Sequence, residues 1–213
     1  MAEKHTVDYW EGEWEKRNLG FHMSSVNEFL LKYEPKLKRN SNIFVPLCGK
    51  SLDLAFLAKL GHNVVGLEGV SKAIKEFSDE TMTLTEGDDC IWRNEDGHLQ
   101  IVNGDLFVTS IPNSPFEAIY DRASITVFHP DFQEKYLKHM ISLCAPKCDY
   151  LMWSLHFEEE RPHPPYSTEN AFMDKIFSFA SFNLVSREEL CYEEAPFKHG
   201  SNCKISWSYY QRS

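Results

Sequence analysis

No apolar run in this chain approaches the roughly 18 residues that a membrane span needs. Its opening residues, Met1-Ala2-Glu3-Lys4-His5, lead into a charged aromatic stretch rather than a signal-peptide core. Positive charge is scarce: Lys plus Arg total 22 against 32 for Asp plus Glu, a net charge of −10. That sign repels a phosphate backbone at long range, so neither nucleic acid nor membrane is an expected partner. Cysteine is sparse too. Cys48, Cys90, Cys144, Cys148, Cys191 and Cys203 are scattered, and Cys144-x-x-x-Cys148 has no second ligand pair at zinc spacing. No disulfide framework and no metal are expected, and a reduced cytoplasmic setting fits. Repeats, low-complexity tracts and linker-like Gly/Pro/Ser runs are absent. With 213 residues, one core and one domain are expected, working as a monomer.

What is present is an alternation of periods. Residues 6–34 read as helical, with Val7, Trp10 and Trp14 on one face. Ser25-Val26-Asn27-Glu28 has capping-box spacing, and Pro35 limits the following helix. Ile43 to Leu47 suits a buried strand. A helix over 50–60 follows, with Leu52, Ala55, Phe56 and Leu60 on its apolar face and Gly61 at its end. Asn63 to Leu67 is the next strand, and Ser71 can cap a helix beginning at Lys72. Ile91 to Arg93 and Leu99 to Val102 can pair around Asp96-Gly97. Strands at Phe116–Tyr120 and Tyr150–Leu155 alternate with helices at 131–143 and 169–179. Segments 182–190 and 203–210 suggest an antiparallel edge pair. This pattern predicts an α/β, doubly wound, mostly parallel sheet, whose ligands sit beyond the carboxyl ends of the strands.

The chemistry-bearing residues fall in those loops. Pro46-Leu47-Cys48-Gly49-Lys50-Ser51 lies at the first strand-to-helix turn, where Gly49 lets a ligand approach the backbone. A phosphate loop needs a glycine five residues earlier, and Phe44 stands there. Glu68 ends the second strand and can accept from both ribose hydroxyls of a nucleoside cofactor, or be an ordinary solvated acid. The second glycine of a dinucleotide loop is missing, which disfavours an NAD-dependent oxidoreductase and favours a cofactor without pyrophosphate, S-adenosylmethionine foremost. Asp105 can accept from an adenine amino group while Leu106 covers the ring; the alternative is a plain Gly-Asp turn. Asp121-Arg122-Ala123 ends the fourth strand near the place where methyl donor and acceptor meet, with a surface ion pair as the alternative. Trp10, Trp14 and Phe21 can form an aromatic wall for a sulfonium cation, or simply pack in the core.

Together these motifs resemble the thiopurine S-methyltransferase family. The matching pattern is Trp10-x-x-x-Trp14 with Phe21-His22, then Phe44-Val45-Pro46-Leu47-Cys48-Gly49-Lys50, Gly61-His62-x-Val64-Val65-Gly66-x-Glu68 and Asp121-Arg122-Ala123, with Pro164-Pro165-Tyr166 as a weaker match. The resemblance spans most of residues 7–167. It implies an N-terminal helical flap over residues 1–40, covering bound S-adenosylmethionine, with Trp10 and Trp14 near the cofactor and Phe21 against the acceptor. It also implies Leu47 and Gly49 around the methionine part, Glu68 on the ribose, Asp105 and Leu106 at the adenine, and Arg122 facing the reaction centre. The chain departs from the family at Gly69, where a hydrophobic residue is usual. A second departure is the late stretch Glu193-Glu194-Ala195-Pro196-Phe197-Lys198-His199, where a further basic residue is frequent.

The expected reaction is methyl transfer to a small aromatic or heterocyclic thiol. Arg122 retains and orients the acceptor anion, and Asp121 fixes its guanidinium. A variant reading replaces the thiol by a soft anion such as halide, thiocyanate, sulfide or a selenium or tellurium species. A reading of another class is a nucleoside-binding protein without turnover.

Overall fold

The computed structural model describes residues 7–191 and 203–213. One sheet holds β1 Asn42–Val45, β2 Asn63–Glu68, β3 Thr85–Glu86, β4 Ile91–Arg93, β5 Leu99–Asn103, β6 Phe116–Arg122, β7 Cys144–His156, β8 Phe182–Cys191 and β9 Lys204–Arg212. Their order is β3-β4-β5-β2-β1-β6-β7-β9-β8. The middle strands β5-β2-β1-β6-β7 are parallel, and antiparallel pairs extend both edges. Helices α1 Val7–Glu15, α2 Glu28–Tyr33, α3 Leu52–Lys59, α4 Ser71–Glu80, α5 Pro130–Ser142 and α6 Asn170–Phe179 complete the fold. Because strand side chains alternate, Ile43, Val45, Val64 and Tyr120 pack with α2, α3 and α4 on one face. Phe44, Val65 and Ile119 pack with α5 and α6 on the other. The connections reverse direction at β1, so the switch point opens between the carboxyl ends of β1 and β6.

Several local expectations are corrected. The helix over 6–34 divides into α1 and α2, with turns between them and Arg17 at φ 55°. The cap of α2 is Asn27, not Ser25: its side chain accepts from Phe29 N at 2.9 Å, while its own N–H donates to Asp53 Oδ1 at 2.9 Å. Ser71 is the first residue of α4, and its hydroxyl donates to Asn103 Oδ1 at 2.6 Å instead of capping. The buried arc of α3 is Leu54, Ala55, Leu57 and Ala58, with Leu60 left 47% exposed. Asp53 explains that rotation, because its carboxylate must reach inward to its partners. β7 begins at Cys144, six residues before the expected start. The hairpin around Gly97, φ 77°, and the β8–β9 edge pair form as expected.

Asp121 is also corrected. Alternation along β6 turns Tyr120 and Arg122 toward α3 and Asp121 toward α5. There its carboxylate, fully buried, accepts from Tyr136 OH at 2.8 Å, Tyr150 OH at 3.0 Å and Ser124 N at 3.0 Å. It therefore ties α5 and β7 to the turn after β6, where Ala123 is left-handed at φ 64°, and makes no bond to Arg122. Burial pushes its carboxyl from 3.8 up to about 6, against the downward pull of the hydroxyl and amide donors.

That rise sets a pH dependence. In the unfolded chain Asp121 loses its proton near 3.8, but in the folded chain only near 6. Its contribution to stability is therefore complete below about pH 4 and is lost as pH rises to about 6, a difference of about 3 kcal/mol. Asp121→Asn keeps the shape without the charge, so its stability relative to wild type should climb between pH 4 and 6 and level off above. Urea unfolding across that range measures it, and a constant difference contradicts it.

Candidate active site

A cleft of about 590 Å³ opens beyond the carboxyl ends of β1, β2, β5 and β6, a size usual for small-molecule sites. Its floor is the loop after β1. Leu47 and Gly49 both take left-handed backbone, φ 44° and 53°, and the loop is stitched to β2 by Cys48 N to Leu67 O at 2.9 Å and Gly49 N to Glu68 Oε2 at 2.8 Å. Gly66 makes this possible: a Cβ there would lie 2.8 Å from Cys48 Sγ. Ser51 then caps α3, accepting from Asp53 N. Lys50 turns away to Glu76 and Glu80 of α4, at 2.7 and 2.8 Å, and is 7% exposed. The Gly-Lys-Ser lysine is thus committed to carboxylates, as no phosphate-loop lysine could be.

Glu68 is buried at the end of β2, its second oxygen accepting from Val70 N at 2.8 Å. Burial raises its carboxyl above the ordinary value, and the amides of Val70, Gly49 and Gly69 oppose that rise. Its backbone oxygen accepts from Gly104 N and Asn103 Nδ2, both at 3.0 Å, which draws the loop after β5 to the same edge. In that loop Asp105 forms a turn, the alternative reading of this residue, accepting from Phe107 N at 2.7 Å, and it borders the cleft as well. Leu106 is buried, and His139 donates to its carbonyl at 2.9 Å.

Arg122 ends β6 in the middle of the cleft. Its guanidinium donates to Ser51 Oγ at 3.0 Å, Asp53 Oδ2 at 3.4 Å and the carbonyl of Phe21 at 2.5 Å. Asp53, fully buried, also accepts from Tyr120 OH at 2.9 Å. The carboxylate expected to hold Arg122 is present, therefore, but it is Asp53 from α3. An acid flanked by Leu52 and Leu54 at a helix start was the only sequence signal for it.

The N-terminal segment lies across the opening. Trp14 is buried against Val70 and Ala73, and Trp10 and Phe21 complete an aromatic cluster with ring centroids 5.8 Å (Trp10–Phe21) and 6.1 Å (Trp14–Phe21) apart. These aromatics pack together and also line the cleft. Glu15 pairs with Lys72 at 3.0 Å and Arg17 with Glu76 at 3.9 Å, fastening the segment to α4. His22 lines the cleft as well, and burial together with the Lys50 and Arg122 cations holds its imidazole below the ordinary range. Trp10, Trp14, Phe21, Leu47, Gly49, Glu68, Asp105, Leu106 and Arg122 all border this one cleft, and Asp121 does not. The stretch from Glu193 to His199 lies outside the described residues. Among those residues, no group of three or more His, Cys, Asp or Glu is placed to hold a metal.

Comparison with known proteins bears on the fold and the family. Solved structures of similar fold include the 1,6-didemethyltoxoflavin-N1-methyltransferase of Burkholderia thailandensis, with TM-score 0.69 and 12% identity over 97% of this chain and 86% of that one. A methyltransferase of Anabaena variabilis gives TM-score 0.68 and 14% identity over 100% and 97%. In sequence, the thiopurine S-methyltransferase of Shewanella woodyi is 34% identical over 211 residues, covering 94% of this chain and 93% of the relative. A probable thiopurine S-methyltransferase of Yarrowia lipolytica is 34% identical over 194 residues, 86% and 89% of the two chains. Residues 5–211 match the family described as thiopurine S-methyltransferase, and the chain belongs to that family.

Proposed function

We propose that this protein transfers a methyl group from S-adenosylmethionine to the sulfur of a small aromatic or heterocyclic thiol, working as a cytoplasmic monomer. The observation that carries the acceptor side of this reading is the guanidinium of Arg122, set in mid-cleft by Asp53, Ser51 and Phe21. The residues present suit the cofactor. Glu68 offers carboxylate oxygens for ribose hydroxyls, Asp105 and Leu106 a polar and an apolar contact for adenine, and Leu47 and Gly49 open backbone for the methionine part. The faces of Trp10 and Trp14 favour a cation beside them.

When bound, S-adenosylmethionine would supply a methyl carbon on a sulfonium, open to in-line displacement by the acceptor sulfur, with the electron pair of the broken carbon–sulfur bond staying on the thioether left behind. Arg122 holds the acceptor as its anion and aims it. The N-terminal aromatics keep water from the junction. Alignment of this kind is worth effective molarities of about 10⁵ M or more, so no covalent enzyme intermediate is needed. Aromatic thiols ionise readily near neutrality, and their protons pass to solvent without a dedicated base. Asp53 acts through Arg122, as a positioning residue.

The principal test is methyl transfer from labelled S-adenosylmethionine to a thiopurine, an aromatic thiol, hydrosulfide, iodide and thiocyanate. Transfer to the aromatic thiols is expected; transfer only to the small anions, or none, overturns the reading. Arg122→Lys should lower kcat/KM on an anionic aromatic thiol by about tenfold or more, because lysine lacks the planar fork. Asp53→Asn should cost a similar factor, and the double variant little more than either alone, whereas additive losses would mean that the two residues act independently. Glu68→Gln should weaken S-adenosylhomocysteine binding roughly tenfold to a hundredfold, read by calorimetry.

A further inference from the structure

The sheet continues past Arg122 on the side away from Glu68 and Asp105. In register, Arg122 on β6 stands opposite Trp153 on β7, and Trp153 opposite Trp207 on β9. Paired residues of neighbouring strands share a face, so guanidinium and two indoles form one row across the sheet. Both tryptophans line the same cleft as Arg122 and are only half-buried, while Leu155 and Ile205, the next pair along on the same face, are buried and line it too. The indoles lie 5.7 Å apart, inclined at 56°. Trp207 is fixed from behind by Phe29, whose ring stacks on it at 4.9 Å and 20°. At about 4.8 Å per strand, β9 lies about 10 Å beyond β6, the span of one or two fused rings.

We infer that Trp153 and Trp207 form a stacking wall that makes the acceptor end of the cleft selective for flat aromatic thiols, with the thiolate at Arg122 and the ring plane against the indoles. The inference rests on the proposed aromatic acceptor and adds the residues that choose it. A flat π system gains from an indole face by dispersion and quadrupole contact, whereas a small hydrated anion gains little and gives up its water. Glycines or short aliphatics in this row would leave the same charge at Arg122 with no preference of shape. Trp207, backed by Phe29, is already oriented before an acceptor arrives, which reduces the cost of ordering it.

The test compares wild type, Trp153→Leu and Trp153→Phe in steady-state transfer to 2-mercaptobenzoate and to hydrosulfide, with S-adenosylhomocysteine affinity as a check on folding and on the cofactor side. Trp153→Leu should raise KM for the aromatic thiol roughly 10- to 100-fold with kcat changed less than about threefold, leaving hydrosulfide transfer and S-adenosylhomocysteine affinity at wild-type values. Trp153→Phe should recover most of the loss, and Trp207→Leu should reproduce it if Trp153→Leu does not fold. An equal loss on both acceptors, or an unchanged KM for the aromatic thiol, overturns the wall while leaving the proposed reaction standing. Wild type that methylates no aromatic thiol at all overturns the acceptor class, and the wall with it.

Discussion

A carboxylate sealed from water must find its hydrogen-bond donors inside the protein, and Asp53 finds three of them in two segments, the start of α2 and strand β6. It accepts from the backbone of Asn27, the hydroxyl of Tyr120 and the guanidinium of Arg122. An unpaired buried charge costs several kcal/mol, so each donor is held in place by the need of the acid as much as by its own packing. Through Asn27 the same acid fixes the start of α2, hence Phe29, hence the ring of Trp207. Position in the half of the cleft around Arg122 is therefore set by electrostatics exerted from the core outward.

The other half is organised differently. There the backbone does the work: the amides of Gly49 and Val70 close on Glu68, and Glu68's own carbonyl collects the loop after β5. Two left-handed residues and a glycine inside β2 bring those groups together. A chain of net charge −10 thus keeps a cation at the centre of its cleft by surrounding Arg122 with fixed oxygens. It does not rely on the long-range field, which is of the wrong sign for drawing in an anion.

The parts of this arrangement that depend on neighbours in sequence were legible in sequence. The apolar runs at β1 and β2, the Asp96-Gly97 hairpin and the glycine turn after β1 carry their own signals, and so did Glu68 and Arg122 by position. What depended on register or rotation was not. Asp121 and Asp53 are both acids within reach of Arg122 along some plausible path, and only strand alternation and the turn of α3 decide between them. Trp153 and Trp207 lie 54 residues apart, and their shared row exists only once β7 and β9 are paired. Competing caps at Ser25 and Asn27 are nearly equal locally; the tertiary bond from Asn27 N to Asp53 breaks the tie.

The bond from Arg122 to the carbonyl of Phe21 joins a strand end to the segment that covers it. Lifting that segment strips the arginine of one of its three oxygen partners and frees the guanidinium to swing toward solvent. Aim and enclosure are then a single mechanical state rather than two. Outside that bond the segment is held to α4 by the exposed pairs of Glu15 with Lys72 and Arg17 with Glu76, contacts of a kind worth little by themselves, so its seating depends on the buried ring of Trp14 and on the arginine that it caps.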